Sequence, residues 1–507
     1  MAQPLQNINI AAPAFKGLNT QDSPLSGDPQ FASVADNVVI DSYGRIGSRR
    51  GLTLLTTDAT ELGSDKPHAI HEYEDAAGNL KVFSVGNGKI LSGTTTLVDE
   101  TPASYTVVDE HYQIVNFNDN CYFFNNGVEP LVYNTTLGAV TKMSSITGAS
   151  PYNNIPQGSI ALGAFGRLWV SGVPSAPNMV YWSDLLIGHV WDAGTSGSLN
   201  LDKVWPDGSD RVTGLAAWNN HLIIFGYNSI VIYQGAESPA TMSLADTISG
   251  IGCVARNTIQ GTGSDLLFLS ARGVMSLGRT IQEKSAPLRD VSMNVRDDLI
   301  ALWKLQDEEV YSCYSARYGF YLLVLPTNSV VYCFDVRAPL ENGAFRVTRW
   351  TTDKHYSFAV RQDDTILVGN ANGISTYSGY LDNGESFTAR YYSNPLAFGD
   401  PSHIKFLKKI NPTFIGGATT TFSVKWAYDF GSDYKAQTYT LGGSSIAYYN
   451  ESEYNDAEYT AGTQVSAPKI NCTGSGNLVT IGMEATINGA PISIQEFNIQ
   501  ATIGRMY

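Results

Sequence analysis

The residues best suited to chemistry are few, and their spacing is poor for it. His68 and His71 stand three apart, and His71-Glu72 begins like a zinc-binding helix, but no second histidine follows four residues after His71, so the ligand pair is missing. In an extended stretch, positions three apart face opposite ways, so these two histidines are not expected to share an ion, and no metal site is assigned. Five cysteines form no C-x-x-C pair and read as buried free thiols. Cys313 and Cys333 fall in neighbouring strand candidates, where they could face each other. Gly86-Asn87-Gly88 lacks the third glycine of a dinucleotide loop, no G-K-[ST] follows any glycine run, and no G-x-S-x-G elbow occurs. The glycine pairs are instead expected in hairpin turns that need positive φ. Nothing calls for a cofactor, and the chain is read as non-enzymatic.

Three basic clusters stand out: Arg45/Arg49/Arg50, Arg337/Arg346/Arg349 and Lys405/Lys408/Lys409. Each could touch phosphate, but the chain carries 47 acidic against 32 basic side chains, a formal charge of −15, and an acidic surface repels nucleic acid. The basic groups are expected to pair with acidic neighbours at subunit contacts, with Gly44, Arg45, Arg49, Arg50 and Gly51 as the candidate interface. Tyr391-Tyr392 and Tyr448-Tyr449 can stack on bases or sugars if exposed, or pack as cross-strand pairs.

The elements that must carry these groups repeat. From His68 to Ser378 an apolar run, a Gly/Asn/Asp turn and a second apolar-aromatic run recur about seven times, as in Lys81–Leu91, His221–Tyr233 and Thr365–Tyr377. Units begin near His68, His111, Ile160, Val212, Val254, Val310 and His355, a period of roughly 45–50 residues that suits four-stranded propeller blades. The fold expected is all-β: a propeller of six or seven blades over 61–385, an N-terminal arm and hairpin over 1–60, and a C-terminal β-sandwich over 386–507, where longer alternating segments such as Phe422–Tyr428 and Ile492–Ile503 appear. One helix, from Ser285 to about Leu305, carries the stripe Val291, Val295, Leu299, Leu302 and Trp303, with Asp297, Asp298 and Asp307 on its polar side. No apolar stretch approaches the ~20 residues of a membrane span, and Met1–Ile10 lacks a secretory pattern, which places synthesis in the cytoplasm.

Propellers can host two-carboxylate glycosidases, and Asp363-Asp364, Asp297-Asp298 and Asp307-Glu308-Glu309 have the required residue types. The S-x-D-x-G turn of sialidase-like propellers is absent from every unit, and hairpin tips and a helix face are ordinary places for solvated acids.

Gly17-Leu18-Asn19-Thr20-Gln21-Asp22-Ser23-Pro24, then Asp36-Asn37-Val38-Val39-Ile40, then Gly44-Arg45-Ile46-Gly47-Ser48-Arg49-Arg50-Gly51 resemble the start of the tail nozzle (tail hub, or tail tubular) proteins of short-tailed bacteriophages. The Arg-Pro usual near the end of that stretch is Arg49-Arg50 here. Phe165-Gly166-Arg167-Leu168-Trp169-Val170-Ser171-Gly172, with Tyr181-Trp182-Ser183-Asp184 and Val212–Gly226, is similar to the middle of the same family. The resemblance covers about 1–280 by motif. It implies a structural virion protein of the tail, made in the host cytoplasm: a homohexameric ring below the head-to-tail adaptor, holding tail spikes, fibres or a needle, through whose bore viral DNA is retained and ejected without sequence-specific binding. A carbohydrate-binding propeller of the tail is the alternative reading, and a glycosidase a more distant one.

Overall fold

The computed structural model describes residues 5–23, 28–282, 290–351, 355–417, 420–441 and 464–506. Seven antiparallel sheets stand around one axis. Six are complete four-stranded blades: residues 69–99, 113–142, 160–200, 212–249 and 311–350, and a last blade in which the strands Ser357–Val360, Ile366–Asn370 and Gly373–Tyr377 receive Leu52–Leu54 as their outer strand. The architecture is therefore a six-bladed propeller, with a reduced sheet of Gln260–Gly261, Leu266–Ser270 and Gly273–Ser276 wedged between the fourth and fifth complete blades. The innermost strands of the last and first blades lie side by side and close the circle.

Alternation of side chains explains why each sheet needs two neighbours. In His221–Gly226, Leu222 and Ile224 join Trp169 and Trp182 of the preceding blade. Ile223 and Phe225 point the other way, onto Phe268 and Met275 of the reduced sheet. The same split separates Val368 from Leu367 in Ile366–Asn370. A strand apolar on both faces is stable only when both are covered, with each buried Leu, Ile or Phe contributing about 1.5–3 kcal/mol. The units read from the sequence start within two residues of the observed inner strands, except Val254. There a 3-10 turn, Arg256–Thr258, precedes a two-residue strand at Gln260.

The expected arm is not separate. Leu5–Ala11 pairs along Ile492–Met506, Ile46–Ser48 adds to the same strand, and Phe31–Asp36 pairs with Phe387–Ser393. The described residues within 5–48 and 387–506 thus build one two-sheet sandwich, in which Phe414 meets Phe422 across the sheets at 4.2 Å and Tyr391 stacks on Phe497 at 6.0 Å. The physical reason is burial: Ile10, Phe15, Leu18, Val38 and Ile46 supply part of its core. One of its sheets is continuous with the blade at 311–350, because Gly17–Leu18 lies between Arg346–Trp350 and Phe31–Asp36 in a ten-stranded sheet. Propeller and sandwich therefore share backbone hydrogen bonds as well as core.

The expected helix is shorter. Its start at Ser285 lies outside the described residues. A 3-10 turn, Met293–Val295, runs into the helix Arg296–Trp303, and a second helix, Leu277–Gln282, caps the reduced sheet. Val291, Val295 and Leu299 are buried against Leu267, Leu269 and Tyr321, while Asp297 and Asp298 face solvent. Among the described residues no helix is long and apolar enough to cross a membrane.

Candidate functional site

The five candidate interface residues sit together, but inside the chain. Arg49 is 1% exposed and binds Asp382 through two parallel contacts, Nη2 to Oδ2 at 2.5 Å and Nη1 to Oδ1 at 2.8 Å. Its Nε donates to Asn37 Oδ1 at 3.2 Å, and the guanidinium lies 4.1 Å from the Phe387 ring centre and 5.6 Å from that of Trp350. One side chain thus joins the N-terminal hairpin, the edge of the last blade, the blade at 311–350 and the sandwich. The planar fork of arginine suits this double carboxylate contact, and lysine cannot reproduce it. Gly51 follows because a Cβ there would stand 2.0 Å from the Leu381 carbonyl oxygen. Gly44 turns at φ +75° against Pro13, and Arg45 pairs with Asp41 at 2.7 Å while covering Tyr43. The Arg50 guanidinium lies between the Tyr318 and Tyr380 rings, and its backbone N–H donates to Tyr377 Oη. This cluster is a seam within one chain. The expectation that these residues form a contact between subunits is corrected for Arg49 by its burial.

Two arginines of the second cluster are also paired within the chain. Arg337 pairs with Asp335 and donates to the Ile40 carbonyl, and Arg349 pairs with Asp36 across the parallel strands that join blade to sandwich. Lys405 is buried and donates to the Asp400 carbonyl, and burial lowers its pKa; Lys408 and Lys409 are exposed beside Phe406. Tyr391 and Tyr392 are buried, not stacking platforms, and Tyr448-Tyr449 lies outside the described residues. Cys313 and Cys333 both stand opposite Leu322, one on each side of it. They are therefore two strand spacings apart, about 9–10 Å, and do not face each other. Asp363 accepts the Thr365 N–H at its own hairpin tip, and Asp297 and Asp298 occupy a helix first turn.

A second polar group, which spacing did not reveal, gathers at one end of the axis, where the inner strands begin. Arg256 donates to the Ser159 and His111 carbonyls, both at 2.8 Å, and to Glu309 Oε1 at 3.0 Å. Those partners lead into three different sheets, so Arg256 spans this mouth. His111 Nδ1 lies 3.1 Å from Tyr311 Oη, and its ring meets His68 edge-on at 4.9 Å; burial lowers the His111 pKa. Lys66 binds Glu308 at 2.7 Å and lies over the Tyr356 ring. A cleft of about 520 Å³ opens beside this network, lined in part by Ser159, Arg256, Glu309 and Trp303. Another of about 670 Å³, lined by Trp218, His221, Asp246 and Arg279, lies between the blade at 212–249 and the reduced sheet. Trp218 and Trp303 are half-buried, and the six other tryptophans are buried.

No family model and no curated relative matches the chain. Among solved structures it is similar to the extracellular domain of a protein assigned as a hybrid two-component system from B. thetaiotaomicron, at 10% identity and a TM-score of 0.43, over 65% of this chain and 40% of that one. It is also similar to the WD40 β-propeller domain of Doa1, at 13% identity and a TM-score of 0.40, over 64% of this chain and 96% of that one. The chain thus spans about two fifths of the length of the first.

Proposed function

We propose that this chain is the subunit of a phage tail nozzle, a non-enzymatic ring that retains and then passes DNA. The observation that carries the reading is the place of the N-terminal segment on which the resemblance rests. Its strands enter both sheets of the sandwich and the last blade, and Arg49 and Gly51 lock it there. A subunit clamped in this way can bear load at a ring contact without its domains parting. The Phe165–Gly172 stretch also fits a structural role: Phe165-Gly166 makes the hairpin turn, Arg167 is buried and donates to the Ser183 carbonyl at 2.8 Å, and Trp169 packs on Trp182.

Contact surface for neighbouring copies, for an adaptor ring and for spikes or fibres is offered by the sandwich. Lys435–Thr440 is an exposed edge strand of the ten-stranded sheet, and Phe406 and Phe430 are exposed on the same domain. Edges and apolar side chains of this kind favour association. Because Arg256 spans one end of the propeller axis, the DNA conduit is the space enclosed by the copies, where a net charge of −15 keeps phosphate from adhering.

The second reading, carbohydrate binding, rests on the half-buried Trp218 and Trp303 in the two clefts, since an indole face flanked by polar groups suits a sugar. Gold-labelled antibody against the chain tests the first reading on phage particles from cells that produce it. Label confined to the short tail is expected; unlabelled tails contradict it. Binding on a glycan array that is lost in Trp218→Ala or Trp303→Ala would favour the second.

A further inference from the structure

Three side chains at the mouth converge beside the Arg256 network, which His68 meets through the His111 ring. Asp65, His68 and Glu110 each place one donor atom within 4.8 Å of the other two. His68 Nε2 lies 3.0 Å from Glu110 Oε2 and 3.5 Å from Asp65 Oδ1. Ligands about 2.0–2.2 Å from a tetrahedral or octahedral ion stand about 3.0–3.5 Å from one another, so these separations match the edges of a coordination polyhedron.

Both carboxylates are aimed from behind. Asn87 and Gly88 form the turn between Leu80–Gly86 and Lys89–Ser92, with φ of +54° and +65°. The Asn87 N–H donates to Asp65 Oδ2 at 2.6 Å and the Gly88 N–H to Glu110 Oε1 at 2.5 Å. Each amide takes the oxygen that faces away from His68 and leaves the other directed at it, which is how outer hydrogen bonds orient metal ligands. The imidazole is met edge-on by His111, and the His68 backbone N–H donates to the Val85 carbonyl at 2.8 Å, which fixes the main chain beneath it. Two carboxylates thus face one imidazole. Lys66, next in sequence to Asp65, is turned away onto Glu308 and Tyr356.

We propose that Asp65, His68 and Glu110 bind a divalent transition-metal ion of the Zn²⁺ and Mn²⁺ class, with the remaining positions taken by water. The ion replaces the proton on Nε2. An imidazole in a three-ligand set argues against Ca²⁺ and Mg²⁺, which take oxygen ligands. Asp65 and His68 lie on the segment that runs from the outer strand Leu52–Leu54 of the last blade into the first blade, and Glu110 precedes the second blade. The ion therefore pins the entry of the first blade to the entry of the second. This inference stands on geometry alone and does not depend on the tail reading.

The full chain, stripped with EDTA and exchanged into metal-free buffer, is titrated calorimetrically with ZnCl₂, MnCl₂ and CaCl₂, and with CoCl₂ by visible absorption. One equivalent of Zn²⁺ or Mn²⁺ is expected to bind, with Ca²⁺ at least about tenfold weaker, and Co²⁺ is expected to give d–d bands. His68→Asn and Glu110→Gln should each weaken binding by more than about tenfold and remove the Co²⁺ bands. Glu110→Gln keeps an oxygen for the Gly88 N–H and so should retain the wild-type circular dichroism. No stoichiometric uptake by the wild type overturns the proposal and leaves His68 simply hydrogen-bonded between two acids. Uptake unchanged in both variants overturns it equally, since the ion then binds elsewhere.

Discussion

The propeller and the sandwich are both antiparallel β, yet they are assembled in opposite ways. Each complete blade but the last is made from strands that succeed one another within about 45 residues of chain. The sandwich is made from the two ends of the sequence, with Leu5 opposite Thr502 and Ala32 opposite Ser393. The propeller distributes its core over pockets between adjacent sheets, whereas the sandwich and the blade at 311–350 share one large core. A local defect should thus stay local in the propeller and spread in the sandwich, and the Arg49 seam is where the two regimes meet.

Removing that seam should have the largest effect. Arg49→Ala takes the guanidinium from the buried Asp382 carboxylate, and breaking a buried pair in this way typically removes about 3–5 kcal/mol. Denaturant unfolding should show the loss, and hydrogen exchange should show protection falling in both the sandwich and the last blade. Arg49→Lys should recover little of it, since the double contact and the packing on Phe387 are lost. Exchange confined to the hairpin at 38–48 would break the comparison.

A cavity inside the propeller comes next. Leu222→Ala removes a fully buried side chain between two blades and should destabilise by about 2–5 kcal/mol. Exchange should rise in residues 160–249 and leave the sandwich unchanged. Equal loosening of both domains would show that the propeller is not modular.

The smallest effect belongs to the sandwich surface. Glu484 is bound by Lys425 and by Tyr392 Oη at 2.7 Å, with Arg390 nearby. Burial raises the Glu484 pKa, but the Lys425 and Tyr392 hydrogen bonds and the cationic charges outweigh it and hold the carboxyl below its ordinary value of 4.5. Because the folded value is the lower one, its contribution is present above the unfolded value and disappears as pH falls through the folded one. Its partial exposure limits it to about 1 kcal/mol or less. Glu484→Gln should therefore lower stability slightly at pH 7, and the difference from wild type should close below pH 4.5. A difference that grows in acid would reverse the sign.

The same contrast explains what could be read from the sequence. Blade starts and turns were legible because period-two apolar runs and residues such as Asn87-Gly88 act locally. The fate of residues 5–48 was not, because Ile10 and Phe15 look like scattered apolar residues until strands hundreds of positions away cover them. Arg49 was visible as a charge, but Asp382, 333 positions on, carries no mark of being its partner. Tyr391 and Tyr392 left stacking open beside cross-strand packing, because alternation alone cannot say that Phe497 of the facing sheet covers the first and Tyr434 the second. At the mouth, attention to His68 and His71 missed Asp65, three residues before His68, and Glu110 at the entry of the next blade. Only the packing of the second blade's inner strand on that of the first brings Glu110 there.

Electron cryomicroscopy of the purified full chain, alone and bound to isolated phage adaptor rings, tests the central claim most directly. The tail-nozzle reading predicts closed rings of six copies around a bore wide enough for duplex DNA, with the sandwich at the contacts between copies. Single propellers that neither form such rings nor join the adaptor would contradict it.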